Sequence, residues 1–245
     1  MTVSSLENKR ANLHKYDHER LELQRRFLRF LIRTIGFNLL VKLERVEGLE
    51  NVPAEGPAIL MINHIAYVDP IAVLHVIPRR NIVPMAKIEV YDYPFVGIFP
   101  RMWGVIPVRR DEVDRRAIQH AMDVLNAGEI ILVAPEAHRS PQLQKGKEGV
   151  AYLANRARVP IVPVAVEGSP GFPTYRFSRR WYGPGVTIRF GQPFCYKDAL
   201  HHSTREQLRL MTDEAMYLLA KMLPEKRRGV YEDLSQATLE TIDLL

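Results

Sequence analysis

From residue 58 onward the chain alternates short unbroken apolar runs with longer segments of helical period. Residues 58–62 (Ala-Ile-Leu-Met-Ile) follow the turn residues Gly56 and Pro57 and read as a buried strand. The same pattern predicts strands at 82–86, 104–108, 130–134, 161–166 and 186–190, and helices at 70–77, 112–127, 147–157 and 204–222. Gly128 stops the second helix, and the last opens with Ser203-Thr204-Arg205-Glu206, a capping-box pattern, with Pro224 beyond its end. Elements alternating in this way predict an α/β fold: a single-domain sandwich with a largely parallel or mixed central sheet flanked by helices. Within Val159–Val164, Pro160 and Pro163 would each forfeit a ladder hydrogen bond, so this strand is expected at an edge or to carry its prolines at strand ends.

The N-terminal part has a different texture. Residues 9–33 are rich in Lys and Arg and run into Phe27, Leu28, Phe30, Leu31, Ile32, Ile35, Phe37, Leu39 and Leu40. The longest uncharged stretch there, 34–41, falls well short of the ~20 residues a membrane span needs. Residues 1–46 are therefore expected to form a basic amphipathic helical segment, preceding a catalytic-size domain over 47–228. The segment either packs on that domain or lies at a bilayer surface, since both uses show the same period. Residues 229–245 form a tail and are a candidate for a short terminal helix.

Composition changes this picture only in part. At 245 residues, 47% apolar and 25% charged, the chain is an ordinary globular protein with room for one sizeable core. A formal charge of +6 favours acidic partners such as phosphorylated substrates or anionic lipid. The single cysteine, Cys195, excludes an intrachain disulfide and a cysteine-rich zinc site, and suits a reducing compartment. Residues 1–20 are polar and charged, so no secretory signal is expected. His14 and His18 have a helical metal spacing but no clear third ligand, and His201-His202 has no evident partner.

The candidate chemistry gathers at strand ends. Asn63-His64-Ile65-Ala66-Tyr67-Val68-Asp69-Pro70 lies between the strand at 58–62 and the helix at 70–77. On one continuous helix His64 and Asp69 would point about 140° apart, but a strand–loop–helix corner brings them together. A neutral imidazole is a competent general base near pH 7, and a carboxylate on its other nitrogen fixes the tautomer. Asp69 equally suits an N-cap with Pro70 in the first turn. No nucleophile elbow completes a triad, because Glu167 stands where Gly168-Ser169 would need a glycine, so the hydroxyl activated would belong to the substrate. Two further strands end in charge: Gly104–Val108 in Arg109-Arg110, and Val133-Ala134 in Pro135-Glu136-Ala137-His138-Arg139-Ser140. Open α/β sheets bind ligands at such strand ends.

In this order the blocks resemble the lysophospholipid acyltransferase superfamily, and within it the 1-acylglycerol-3-phosphate acyltransferases. The His-x4-Asp motif is His64 to Asp69 after Asn63; the second block is Gly104 to Arg110; the third is Pro135-Glu136 with Arg139-Ser140; the proline-rich fourth is Val159 to Val164. Lys145-Gly146 is similar to the Lys-Gly that follows the third block, and the resemblance covers about residues 45–195. The third block departs from the usual Glu-Gly-Thr-Arg, with Ala137 in place of glycine and His138 in place of threonine. The resemblance implies O-acyl transfer from acyl-CoA or acyl carrier protein to the hydroxyl of a lysophospholipid, 1-acylglycerol-3-phosphate first among them, to give phosphatidic acid. It makes His64 the base and Asp69 its orienter, with Asn63, Arg110, Glu136, Arg139, Lys145 and Pro163 around the substrates. Glu136 is expected to orient an arginine or a hydroxyl, since its charge repels phosphate. No metal or redox cofactor is implied, and the protein is expected as a peripheral or monotopic one at the cytoplasmic face of a membrane, on an anionic surface.

Two alternatives stand beside this reading. The same His-Asp pair could activate water on an acyl thioester, giving a hydrolase. The basic charge could instead serve a non-catalytic lipid-surface protein, with Arg176-Phe177-Ser178-Arg179-Arg180-Trp181-Tyr182 at the headgroup level. Nucleic acid is not expected as a partner, because no recognition motif accompanies the charge.

Overall fold

The structure is a computed structural model and describes residues 18–94, 96–110, 113–197 and 203–245. His14, His201 and His202 lie outside the described residues, as do residues 1–17 of the expected N-terminal segment. Its centre is a mixed sheet in the order β1-β7-β6-β2-β5-β3-β4, extended by β8 and β9. The strands are β1 (Leu43–Glu47), β2 (Ala58–Ile62), β3 (Ile82–Lys87), β4 (Ile106–Val108), β5 (Ile130–Val133), β6 (Ile161–Glu167), β7 (Val186–Phe190), β8 (Phe194–Tyr196) and β9 (Ile242–Leu244). β2, β5, β3 and β4 run parallel, as do β2 and β6. β7 and β8 run antiparallel to β6.

Every residue of β2 is buried because it has a layer on each face. Ala58, Leu60 and Ile62 point into one layer with Leu74 of α2 (Asp69–Val76), Trp103 of α3 (Ile98–Trp103) and Leu28 of α1 (His18–Leu31). Ile59 and Met61 point into the other, with Val124 of α4 (Arg115–Asn126), Leu153 of α5 (Gly149–Ala157) and Met216 of α6 (Arg205–Lys221). α1 continues as a π-helical segment, Ile32–Leu40.

The expected strands and helices are present, with corrections at particular places. β6 is central rather than at an edge, between β2 on one side and β7 and β8 on the other. Pro163 is tolerated because it falls where the antiparallel neighbour changes, from β8 opposite Ile161 to β7 opposite Val164; its carbonyl still accepts from Gly191 N at 2.8 Å. α6 is capped one residue later than the sequence pattern indicates, by Thr204 with Gln207 in a reciprocal capping box. Residues 229–245 form 3-10 turns and then β9, which pairs with β8, instead of a helix. Three strands had no clear sequence signal: β1, β8 and β9, each of three to five residues.

One face of α1 is bound to the domain. Arg25, fully buried, donates through Nε to the carbonyl of Trp103 at 2.8 Å. The opposite stripe, Leu23, Phe27 and Phe30, is exposed at 78%, 54% and 61%, so among the described residues nothing covers this apolar face of the helix. Among the described residues no helix is long and apolar enough to cross a membrane.

Candidate functional site

The parallel strands deliver their C-terminal ends to one end of the sheet, where the chain turns at His64 after β2, at Ile88 after β3, at Arg109 after β4 and at Ala134 after β5. Asn63, the first residue beyond β2, fixes that turn. Its amide is buried, donating to Val166 O at 2.9 Å and accepting from Val166 N at 2.7 Å. Both ends of the side chain are thereby committed to β6 and none faces the substrate side.

Beyond Asn63 the loop curls around one carboxylate oxygen. Asp69 Oδ2 accepts from Ile65 N at 2.6 Å and Ala66 N at 2.7 Å, and lies 3.1 Å from His64 Nδ1. Asp69 is fully buried, whereas the His64 side chain retains 18% exposure. With Asp69 as acceptor, His64 carries its proton on Nδ1 and leaves Nε2 as the basic nitrogen. The forward cap is not made: Asp69 receives no hydrogen bond from the first turn of α2, and its carboxylate serves the loop behind it. Pro70 does occupy the first turn, as its fixed φ and missing N–H favour.

Glu136 completes the inner side. It is buried at 1% exposure, and accepts from His64 N at 3.2 Å through Oε1 and from Gln144 N at 2.9 Å through Oε2. Burial pushes its carboxyl up to about 7 and the charge of Asp69 adds to the rise, while the two backbone donors oppose it. Glu136 thus ties the β5 turn to the backbone of the proposed base. Its expected role is to orient an arginine or a hydroxyl; its two hydrogen bonds here are to backbone N–H groups, which makes it a backbone clamp.

The outer side is a groove of about 2150 Å3. Its polar lining includes His64, Arg109, Arg110, His138, Arg139 and Lys147, and its apolar lining includes Ile71, Leu74, Val90, Val96 and Phe99. Ligand pockets typically measure about 300–1,000 Å3, so this one has space for two substrates together. Arg139 lies over the ring of Tyr67, with Cζ 3.3 Å from the centroid, a stack that holds the guanidinium flat at the rim. Asp114 fixes the second arginine turn: it accepts from Arg109 N at 2.8 Å while capping α4 at Arg116 N and Ala117 N. A second, wholly apolar groove of about 480 Å3 shares Tyr67, Ile71 and Phe99 with the first and runs under Leu31, Ile35 and Leu40.

Of the residues singled out from sequence, His64, Arg110 and Arg139 reach the groove and Asp69 stands directly behind His64. Asn63, Glu136 and Pro163 are buried in the framework, and Lys145 is exposed without lining the groove. Its neighbour Lys147 lines it instead, and Tyr67 is a contributor that sequence reasoning missed. The only signal for Tyr67 was a large aromatic side chain inside the His-x4-Asp loop. Ala137 sits in the left-handed region at φ 61°, the conformation for which glycine is best suited. Among the described residues no group of three or more His, Cys, Asp and Glu side chains is arranged to hold a metal ion.

The site thus has a buried carboxylate behind a histidine, in a groove whose lining carries both basic and apolar side chains. Residues 44–167 match the Acyltransferase family, just over half of the chain, and the chain belongs to that family and is an O-acyltransferase. It is 27% identical over 183 residues to a 1-acyl-sn-glycerol-3-phosphate acyltransferase of Bacillus subtilis, covering 74% of this chain and 88% of that one. A Borreliella burgdorferi protein of the same name is 30% identical over 131 residues, covering 52% of each chain. The match to the corresponding protein of Streptococcus pneumoniae is 25% over 179 residues, with 73% of this chain and 62% of that one. In fold, the chain is similar to the crystal structure of the 1-acyl-sn-glycerophosphate (LPA) acyltransferase PlsC from Thermotoga maritima, at TM-score 0.55 and 24% identity, over 86% of this chain and 84% of that one.

Proposed function

We propose that the chain moves a fatty acyl group from a thioester donor, acyl-CoA or acyl carrier protein, to the free hydroxyl of 1-acylglycerol-3-phosphate, giving phosphatidic acid in phospholipid biosynthesis. The observation that carries this reading is the His64–Asp69 pair, 3.1 Å apart, at the wall of a groove that also holds Arg139 and a long apolar surface. The names of the relatives support the acceptor.

In this mechanism His64 Nε2 takes the proton of the acceptor hydroxyl as its oxygen attacks the thioester carbonyl. Asp69 stabilises the imidazolium that forms, and the imidazolium returns its proton to the departing thiolate. Base catalysis of this kind typically supplies about 10²–10⁴-fold. Positioning of the two substrates in one groove supplies a further part. Arg139, held by Tyr67, binds the acceptor phosphate, and Arg110 adds positive charge to the same groove. The apolar walls receive acyl chains.

The site would work at an anionic membrane surface, with the protein bound peripherally at the cytoplasmic face. The exposed stripe Leu23, Phe27 and Phe30, flanked by exposed Arg20, Arg26 and Arg33, has the character of an interfacial helix. The loop bearing exposed Tyr175, Phe177 and Tyr182 is tied to the end of the π-helical continuation, where Thr174 N donates to Leu40 O at 2.8 Å.

A radiolabelled acyl donor tests the reaction. Label is expected in phosphatidic acid when 1-acylglycerol-3-phosphate is present. Label released as free fatty acid instead would make the protein a thioesterase, and label remaining on the donor would remove the proposed reaction altogether.

A further inference from the structure

We infer that Tyr231, more than sixty residues beyond the matched family region, is a positioning residue for the base, acting through the loop 143–148. The inference rests on the reading of His64 as the base.

The loop lies between the Glu136 turn and the start of α5 at Gly149. At the site end, Gln144 N donates to Glu136 Oε2 at 2.9 Å and Lys147 N to Pro135 O at 2.9 Å, while Glu136 Oε1 holds the backbone N–H of His64. Between those two donors, Gly146 is gripped from the other side at both of its backbone groups. Gly146 N donates to the Tyr231 hydroxyl at 3.2 Å, and Gly146 O accepts from Arg209 Nη1 at 2.6 Å. The two gripping side chains share an anchor. Tyr231 donates to Asp213 Oδ1 at 2.9 Å, and Arg209 makes a fork on the same carboxylate, 2.9 Å through Nε and 2.7 Å through Nη2. Arg209 also reaches Glu148 at 3.0 Å. Burial raises the Tyr231 hydroxyl well above its ordinary range, so it stays protonated and keeps both roles.

The loop has no slack against α6. A Cβ at Gly146 would come within 2.9 Å of Met216 Cγ and 3.1 Å of Thr212 Cγ2. Leu143 closes the arrangement by donating to Arg227 O at 2.9 Å and accepting from Val230 N at 3.2 Å. The result is one connected path from Tyr231 through Gly146, Gln144 and Glu136 to the backbone of His64. A small displacement at its distal end alters where His64 stands, and misplacing a catalytic group by about 1 Å can cost about 10²-fold.

Steady-state kinetics on the full chain test this, with 1-acylglycerol-3-phosphate and an acyl-CoA as probes and thermal melts run alongside. Tyr231→Phe is expected to lower kcat about tenfold at unchanged acceptor KM, since a displaced base affects the chemical step rather than phosphate binding. Gly146→Ala pushes the same loop off α6 by another route and is expected to give the same split. Tyr217→Phe removes a hydroxyl from the ring packed edge-on against Tyr231, 5.1 Å away, and is expected to behave as wild type. If Tyr231→Phe and Gly146→Ala fold and keep wild-type kcat while His64→Ala is inactive, the positioning role is overturned and the base assignment stands. Lowered melting temperatures with wild-type kcat in both would equally overturn it, leaving Tyr231 a purely structural residue. A fully active His64→Ala would overturn both.

Discussion

The carboxylate of Glu136 holds the backbone N–H of His64 at 3.2 Å across 72 residues of sequence. His64 is thus fixed twice, at its ring by Asp69 and at its backbone by a side chain that no solvent reaches. This makes the third sequence block a support for the first.

The fixture has a signature in stability. The Glu136 carboxyl is raised from the ordinary 4.5 to about 7 in the folded chain. Between these two values the unfolded chain has released a proton that the folded chain retains. Stability from this group is therefore full below pH 4.5 and declines as pH rises to about 7, by up to about 3 kcal/mol at ~1.4 kcal/mol per pH unit. Glu136→Gln should remove that slope from a series of thermal melts. It should also be less stable overall, because its NH2 group meets one of the two backbone donors. An unchanged slope in the variant would assign the pH dependence elsewhere.

Ala137 pays for its position at φ 61°. Placing glycine there relieves the left-handed strain, which is about 1–2 kcal/mol for an L-residue, and gives back part of it as unfolded-chain entropy. Ala137→Gly should raise the melting temperature by about 2 °C. A fall on substitution would show that the Ala137 methyl makes a contact worth more than the strain.

Arg139 and Tyr67 should behave as a unit in acceptor binding. Arg139→Ala is expected to raise the acceptor KM about 10–100-fold, as loss of a charge-assisted phosphate contact does, with a smaller effect on kcat. Tyr67→Ala should raise it less and Tyr67→Phe leave it unchanged, since the ring face and not the hydroxyl meets the guanidinium. Acceptor KM values unaffected by Arg139→Ala would place the phosphate elsewhere on the rim.

The apolar stripe of α1 should govern lipid binding. Substituting Leu23, Phe27 and Phe30, all exposed, by glutamate should abolish co-sedimentation with anionic liposomes while leaving the melting temperature within about 1 °C. Undiminished sedimentation would exclude this face as the membrane contact.

The residues that could be found from sequence are those whose role is local. β2 is five apolar residues between turn signals, and His64 to Asp69 is a loop whose two ends lie in one motif. Roles fixed by distant partners were not legible. Leu43–Glu47 holds three charged residues in five and becomes a strand because β7, about 140 residues later, offers it an edge. Asn63 reads as a polar group beside a base, yet its amide is consumed by Val166, 103 residues on. Glu136 reads as a group that orients an arginine or a hydroxyl, yet its two oxygens accept from the backbone of His64 and Gln144. Pro160 and Pro163 pointed to an edge or to strand ends; Pro160 does precede β6, but sequence cannot show that two short strands share one side of β6 and leave a gap at Pro163.

The central claim is that His64 removes the acceptor proton. Single-turnover transfer of labelled acyl groups to 1-acylglycerol-3-phosphate by wild type and by His64→Ala, with folding of both checked by circular dichroism, tests it most directly. A loss of about 10²–10⁴-fold in the chemical step is expected, with little change in acceptor affinity. A folded His64→Ala protein transferring acyl groups at near wild-type rate would contradict it.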